Sequence, residues 1–168
     1  AAVRRIDDLS LLGDRARHDE AASVRELARQ RYVQRLIDAR VPRAERERVL
    51  AVEEDSEILA TVAQQAPEAA LRQLAFERVP RPGLLADRCV TDPDPALRRW
   101  LLDRIEDIST LERIAERARK SDKLLSRTAR ERVQVARLAA GDPAATAERA
   151  LAICEELDSL RRTAAPGA

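Results

Sequence analysis

His18 is the only histidine among the 168 residues, so a histidine-based triad or metal site has to be built around it. Ser10, Asp14 and His18 recur every four residues, which sets a nucleophile, an acid and a base on one helical face. Side chains stacked at i, i+4 and i+8 follow the helix axis, however, and do not converge on one reacting atom. Asp14 with His18 reads instead as a surface i,i+4 pair. Glu53, Glu54, Asp55 and Glu57 form the densest acidic cluster. Carboxylates hold a hard cation when loop geometry fixes their oxygens, but no glycine supports a tight loop here. The run reads as a solvated helix end. Cys89 and Cys154 have no zinc spacing, and Cys89 reads as a small core residue. The four glycines form neither a GxxxxGK nor a GxGxxG loop. No catalytic residue, cofactor, metal or small-molecule substrate is therefore expected, and the chain reads as a non-enzyme.

Arginine carries most of the remaining chemistry. Lysine occurs only at 120 and 123 among 31 basic residues. With the abundant alanine, this reads as a hint of the coding bias of a GC-rich bacterial genome. Against 30 acidic residues the net charge is +1, which selects no class of partner. One segment departs from neutrality. From Glu112 to Arg137 there are nine basic residues and four acidic ones, a local +5. A basic stripe can follow a nucleic-acid backbone through phosphate contacts. The plainer reading is a charged surface laced with intrahelical pairs, Glu112 and Glu116 facing Arg113 and Arg117.

The elements that must position these residues are helices. Aromatics amount to 2% of the chain, namely Tyr32, Phe76 and Trp100, so the core falls to Leu, Ile, Val and Ala. Ala and Leu lead the helix scale, whereas strands favour aromatic and β-branched residues. Charge at 36% alongside 45% hydrophobic residues fits helices with one wet face. Asp94-Pro95 and Asp142-Pro143 each read as an N-cap followed by proline at the first helical position. Ser109 with Glu112 fits a capping box. Pro42, Pro67, Pro80 and Pro82 interrupt helical patterns, and Gly83 and Gly141 fall in predicted breaks.

Internal self-similarity organises the helices. Leu12, Ala16, Val24-Arg25, Leu27-Ala28 and Arg31 recur as Leu59, Ala63, Leu71-Arg72, Leu74-Ala75 and Arg78. They recur again as Leu85, Cys89, Leu97-Arg98, Trp100-Leu101 and Arg104. A fourth copy, with two extra residues in its turn, is Leu111, Ala115, Leu125-Ser126, Thr128-Ala129 and Arg132. Each copy reads as a helix, a break and a second helix. The longer gap between Leu12 and Leu59 leaves room for an inserted helix. One helical-repeat domain is expected over 1–163, with units at 9–41, 44–80, 84–107 and 109–140 and a capping helix at 143–162. That last helix carries Ala147, Ala150, Leu151, Cys154, Leu157 and Leu160 on one side. Residues 164–168 read as a tail or linker, and the absence of Met suggests a piece excised from a longer protein.

The run Asp92-Pro-Asp-Pro-Ala-Leu97-Arg98 resembles the signature of HEAT repeats, an aspartate six residues before an arginine that follows an apolar residue. Asp19 to Arg25, with Val24 between, has the same spacing. Ala66 stands where the aspartate belongs in one unit, and Ser126 where the arginine belongs in another. The resemblance covers roughly residues 9 to 137. More loosely, the chain is similar to the HEAT-like region of large bacterial helical proteins of unknown function. The resemblance implies an all-α fold, a right-handed α-α superhelix or solenoid of HEAT-like hairpins whose second helices line a concave surface. It gives Arg25, Arg72 and Arg98 a structural duty, binding inter-repeat aspartate or turn carbonyls through the planar guanidinium fork. Arg31, Arg78, Arg104 and Arg132 would then form a ladder on the concave face. With Trp100, Lys120 and Lys123 they are the candidate interaction surface. The function expected is a non-enzymatic scaffold binding a protein partner, the alternative being a nucleic-acid-binding module that uses the basic stripe. Two thiols argue for a reducing, cytoplasmic setting. No signal peptide is recognised and no apolar run approaches the roughly 20 residues of a membrane span, so no membrane partner is expected.

Overall fold

Six aspartates open helices, each accepting backbone N–H groups that the first turn leaves without partners. Asp8, Asp55, Asp94, Asp107, Asp122 and Asp142 bond to Leu11, Ile58, Leu97, Thr110, Leu125 and Ala145, in that order. The structure is a computed structural model that describes residues 6–79 and 81–164, and among these there are ten α-helices and no strand. In chain order they are α1 (Leu9–His18), α2 (Ala22–Leu36), α3 (Arg43–Leu50), α4 (Ser56–Gln65) and α5 (Ala69–Arg78). Then follow α6 (Pro82–Thr91), α7 (Pro95–Leu102), α8 (Ile108–Ala118), α9 (Lys123–Ala139) and α10 (Pro143–Ala164). None of these helices is long and apolar enough to cross a membrane.

The chain forms two compact units, Ala1–Leu101 and Leu102–Ala168. In the first, α1 packs on α2 and α4 on α5, each pair joined by a short turn. Between Leu12 and Leu59, where an inserted helix was expected, α3 rests on α5 and α1. In the second unit α8 packs on α9, and α10 touches α9.

Recurring positions carry recurring burial. Ala28, Ala75, Leu101 and Ala129 are fully buried, and so are Leu12, Leu59 and Leu111, with Leu85 half-buried. One turn further along the same helices Ala63, Cys89 and Ala115 are buried, while the equivalent Ala16 is half-buried. Small residues there let two helices approach closely, and each buried leucine contributes about 1.5–3 kcal/mol.

Two local expectations change. The N-cap of α8 is Asp107 rather than Ser109, because its Oδ2 takes the Thr110 N–H at 2.8 Å and the Ser109 hydroxyl at 2.7 Å. Gly83 lies inside the first turn of α6, since Pro82 is already set for the first helical position. Gly141 does sit in a break, with φ +73°. It completes a Schellman closure of α9, in which Gly141 N–H bonds to Leu138 O and Asp142 N–H to Arg137 O, both at 3.0 Å. Pro80 and residues 165–168, where a break and a tail were expected, lie outside the described residues.

Candidate functional site

The hairpins hold two sets of arginines, and in both the guanidinium turns back onto the chain's own backbone. Arg25 Nη1 donates to Asp19 O at 2.8 Å and Glu20 O at 3.0 Å. Arg72 Nη1 donates to Ala66 O and Pro67 O, both at 2.9 Å, and Arg98 Nη1 to Asp92 O at 2.6 Å. Asp19, Ala66 and Asp92 are the C-caps of α1, α4 and α6, so each cation meets the negative end of the preceding helix. Where the fourth copy has serine, Ser126 Oγ bonds to Ala115 O at 2.7 Å instead.

The second set was expected to face a partner. Arg31 Nη2 donates to Ile6 O at 3.4 Å, Arg78 Nη1 to Ala51 O, and Arg132 to Leu102 O and, at 2.9 Å, to Ile105 O. These carbonyls belong to the segments leading into α1, α4 and α8. Arg31 lies 3.7 Å from Asp7 and Arg132 4.0 Å from Asp103. Three of the four recurring arginines thus bond to backbone just ahead of their hairpins. Of the other candidates, Trp100 is half-buried on α7, while Arg104, Lys120 and Lys123 are exposed. Arg31, Arg78 and Trp100 fall in the first unit; Arg104, Lys120, Lys123 and Arg132 fall in the second. Lys120 and Lys123 share the α8–α9 turn, and Arg132 lies further along α9.

Of three interior polar clusters, sequence reading anticipated the Arg72–aspartate contact of the first and missed the other two. Asp92 has a fully buried carboxylate that accepts Arg72 Nε at 2.8 Å, Arg72 Nη2 at 2.7 Å, Arg88 Nη2 at 2.7 Å and Asp94 N–H at 2.9 Å. Burial pushes this carboxyl up, but the Arg72 hydrogen bonds, the Asp94 N–H and the two cations outweigh it and hold its pKa below the ordinary value. The repeat spacing pointed at Asp92; nothing local pointed at Arg88.

The acidic run 53–57 is not a uniformly solvated end. Glu53 is 1% exposed, and its Oε1 accepts the N–H groups of Glu54 at 3.0 Å and Asp55 at 2.9 Å. Arg17 Nη1 approaches its Oε2 at 3.4 Å, and Tyr32 is buried beside the same cavity. Gly13, Arg17, Tyr32 and Glu53 line a small, partly open cavity of about 30 Å³, roomy enough for a water. Asp55 pairs with Arg29 at 2.6 Å while capping α4. Glu57 pairs with Arg81 at 2.6 Å, which draws its carboxyl below the ordinary range. In the third cluster the buried Arg46 grips Glu68 through two bonds of 2.9 and 2.5 Å, lowering the pKa of Glu68.

Ser10, Asp14 and His18 are exposed along α1. No group of three or more His, Cys, Asp or Glu among the described residues could hold a metal ion. Cys89 is buried in α6, with its Sγ 3.4 Å from Arg98 O, and Cys154 is exposed.

Two surfaces remain uncovered. On α10, Ala145 is buried in the first turn, but every residue from 146 to 163 except Ala152 is exposed. The apolar side read in the sequence, Ala147, Ala150, Leu151, Cys154, Leu157 and Leu160, therefore faces outward. In the α8–α9 turn and along α9, Lys120, Lys123 and Arg130 are exposed and pair with no acidic group among the described residues. The pairs expected within α8 take other routes. Glu112 reaches Arg137 of α9, Glu116 meets Arg119 at 3.3 Å, and Arg113 bonds to Thr110 Oγ1 at 3.4 Å.

No protein-family model matches this chain, and no curated protein or solved structure matches it.

Proposed function

We propose that the chain is a non-enzymatic interaction scaffold, a stack of HEAT-like hairpins in a right-handed α-α superhelix, that binds another protein. The shared duties of equivalent residues support the repeat: a small residue buried on three of the first helices and an arginine on three of the first-helix C-caps. One observation carries the binding reading. Leu151, Leu157 and Leu160 of α10 are 67, 55 and 63% exposed, and the exposed Cys154 lies among them. Contiguous apolar surface of this kind marks interfaces. A helix with one seated turn is also marginal in water, because most helical stability comes from packing of the apolar face. A partner presenting an apolar groove or amphipathic helix would bury these leucines and stabilise α10 together.

Cys154 permits a direct test, since Cys89 is buried. A photocrosslinker attached to Cys154 of the whole chain, activated in cell extract, should join it to a discrete protein. That product should disappear with Leu157→Glu and Leu160→Glu and persist with Arg48→Glu, an exposed change on α3. Cross-links indifferent to the leucine changes would sink the proposal.

A further inference from the structure

The geometry points to the α8–α9 hairpin as a site for the phosphate backbone of double-stranded nucleic acid, independent of the α10 surface. Lys123, Arg127 and Arg130 stand at i, i+4 and i+7 of α9, one line of cations on a rigid helix. At 1.5 Å per residue the line is about 10 Å long, matching roughly three nucleotides of one strand at 3.4 Å rise. Arg119 and Lys120 extend it into the turn before α9.

What distinguishes these cations is that the fold does not need them. Arg25, Arg72, Arg98, Arg31, Arg78 and Arg132 are engaged on backbone carbonyls. Lys120, Lys123 and Arg130 are exposed and have no acidic partner among the described residues. Arg127 and Arg119 are paired only at the surface, with Glu131 at 2.7 Å and Glu116 at 3.3 Å. Exposed pairs are worth at most about 1 kcal/mol, so a phosphate competes readily for either arginine. Between 113 and 130 there are seven basic residues and two acidic ones, Glu116 and Asp122. Asp122 is held as the N-cap of α9.

The shape of the charge selects the polyanion. A line of point charges on a rod suits a regular phosphate track. A membrane surface calls for a broad apolar face beneath the cations, and α9 exposes only Leu124 and Val135, eleven residues apart, among its large apolar side chains. Single strands are gripped by aromatic stacking, and no aromatic residue lies between Trp100 and the end of the chain. Contacts of this kind are sequence-independent.

The test is fluorescence anisotropy of the whole chain with a labelled DNA duplex of arbitrary sequence, run beside vesicles of phosphatidylserine and phosphatidylcholine. With three to four phosphates neutralised, affinity should fall roughly 40- to 150-fold between 50 and 200 mM salt. Lys123→Glu with Arg130→Glu should abolish binding at moderate salt and lower the salt slope by about two. Arg48→Glu with Arg99→Glu, an equal charge change on exposed residues of α3 and α7, should leave binding within about twofold of the wild type in this sequence-independent mode. Absence of duplex binding at low salt, equal loss with both double variants, or binding to vesicles alone would each overturn the assignment.

Discussion

Replacing Asp92 by alanine should be among the most damaging single changes in this protein. Its carboxylate is fully buried and takes three guanidinium N–H bonds of 2.7–2.8 Å, two from Arg72 and one from Arg88, besides the Asp94 N–H at 2.9 Å. The Arg72 side chain is only 4% exposed, so water cannot replace the lost carboxylate. Its Nη1 would keep the carbonyls of Ala66 and Pro67 but leave the charge uncompensated. Removing one partner of a buried pair costs about 3–5 kcal/mol, because the other charge is stranded. Trp100, the only tryptophan, belongs to the same unit and reports its unfolding in urea by fluorescence. At an m-value of about 2 kcal/mol/M the midpoint should drop by roughly 2 M. Arg72→Met with Asp92→Ala should be less damaging than the sum of the two single changes. A loss below about 1 kcal/mol for Asp92→Ala, where 3–5 is expected, would refute the stranded-charge reasoning, as would strict additivity of the pair.

The acid side follows from the same carboxyl. Its folded pKa is depressed, so its contribution is complete above the unfolded value near 3.9 and is lost as pH falls through the folded one. Asp92→Asn should accordingly be less stable than the wild type at neutral pH, the difference shrinking toward the most acidic conditions.

Three further outcomes are expected. Gly141→Ala should cost about 1–2 kcal/mol in thermal unfolding of the second unit, because φ of +73° is left-handed and a Cβ is penalised there although space is open; an unchanged melting point would contradict the Schellman closure. Burial raises the hydroxyl pKa of Tyr32, the Glu53 charge raises it further, and Arg17 offsets part of this. The contribution of Tyr32 to stability is thus present below about 10 and lost as pH climbs above it, so tyrosinate absorbance should appear only with unfolding; titration near 10 with helicity intact would refute the buried cluster. A thiol reagent should modify Cys154 at once and Cys89 only at the rate of unfolding, a sequence that two equally fast thiols would exclude.

Local signals made most of the helical architecture legible. Asp-Pro caps, prolines and a repeated leucine-alanine spacing depend on residues within one turn of each other, so α7, α10, the hairpins and the inserted α3 follow from the chain read in order. The interior polar clusters depend on residues distant in sequence. Glu53 meets Arg17 from 36 residues away, and nothing around position 53 distinguishes that carboxylate from its solvated neighbours. Periodicity has its own blind spot on α10. The spacing of Leu151, Cys154 and Leu157 shows that one side is apolar, but not whether anything covers it.

The arginine ladders show what spacing alone leaves open at Arg31, Arg78 and Arg132. Recurrence states that a residue has a repeated duty, and outward recognition or inward fastening would leave the same pattern. The chemistry of the side chain separates them. A guanidinium can place rigid N–H groups on two carbonyls at once, as Arg25, Arg72 and Arg132 do, whereas an ammonium is a compact charge on a flexible stem. A fold that closes its turns this way therefore requires arginine at those positions, and lysine is free to appear only where no carbonyl has to be bridged. Both lysines stand in that situation, at 120 and 123, exposed on the α8–α9 turn. Basic residues that the backbone does not engage are the ones whose charge is available to a partner.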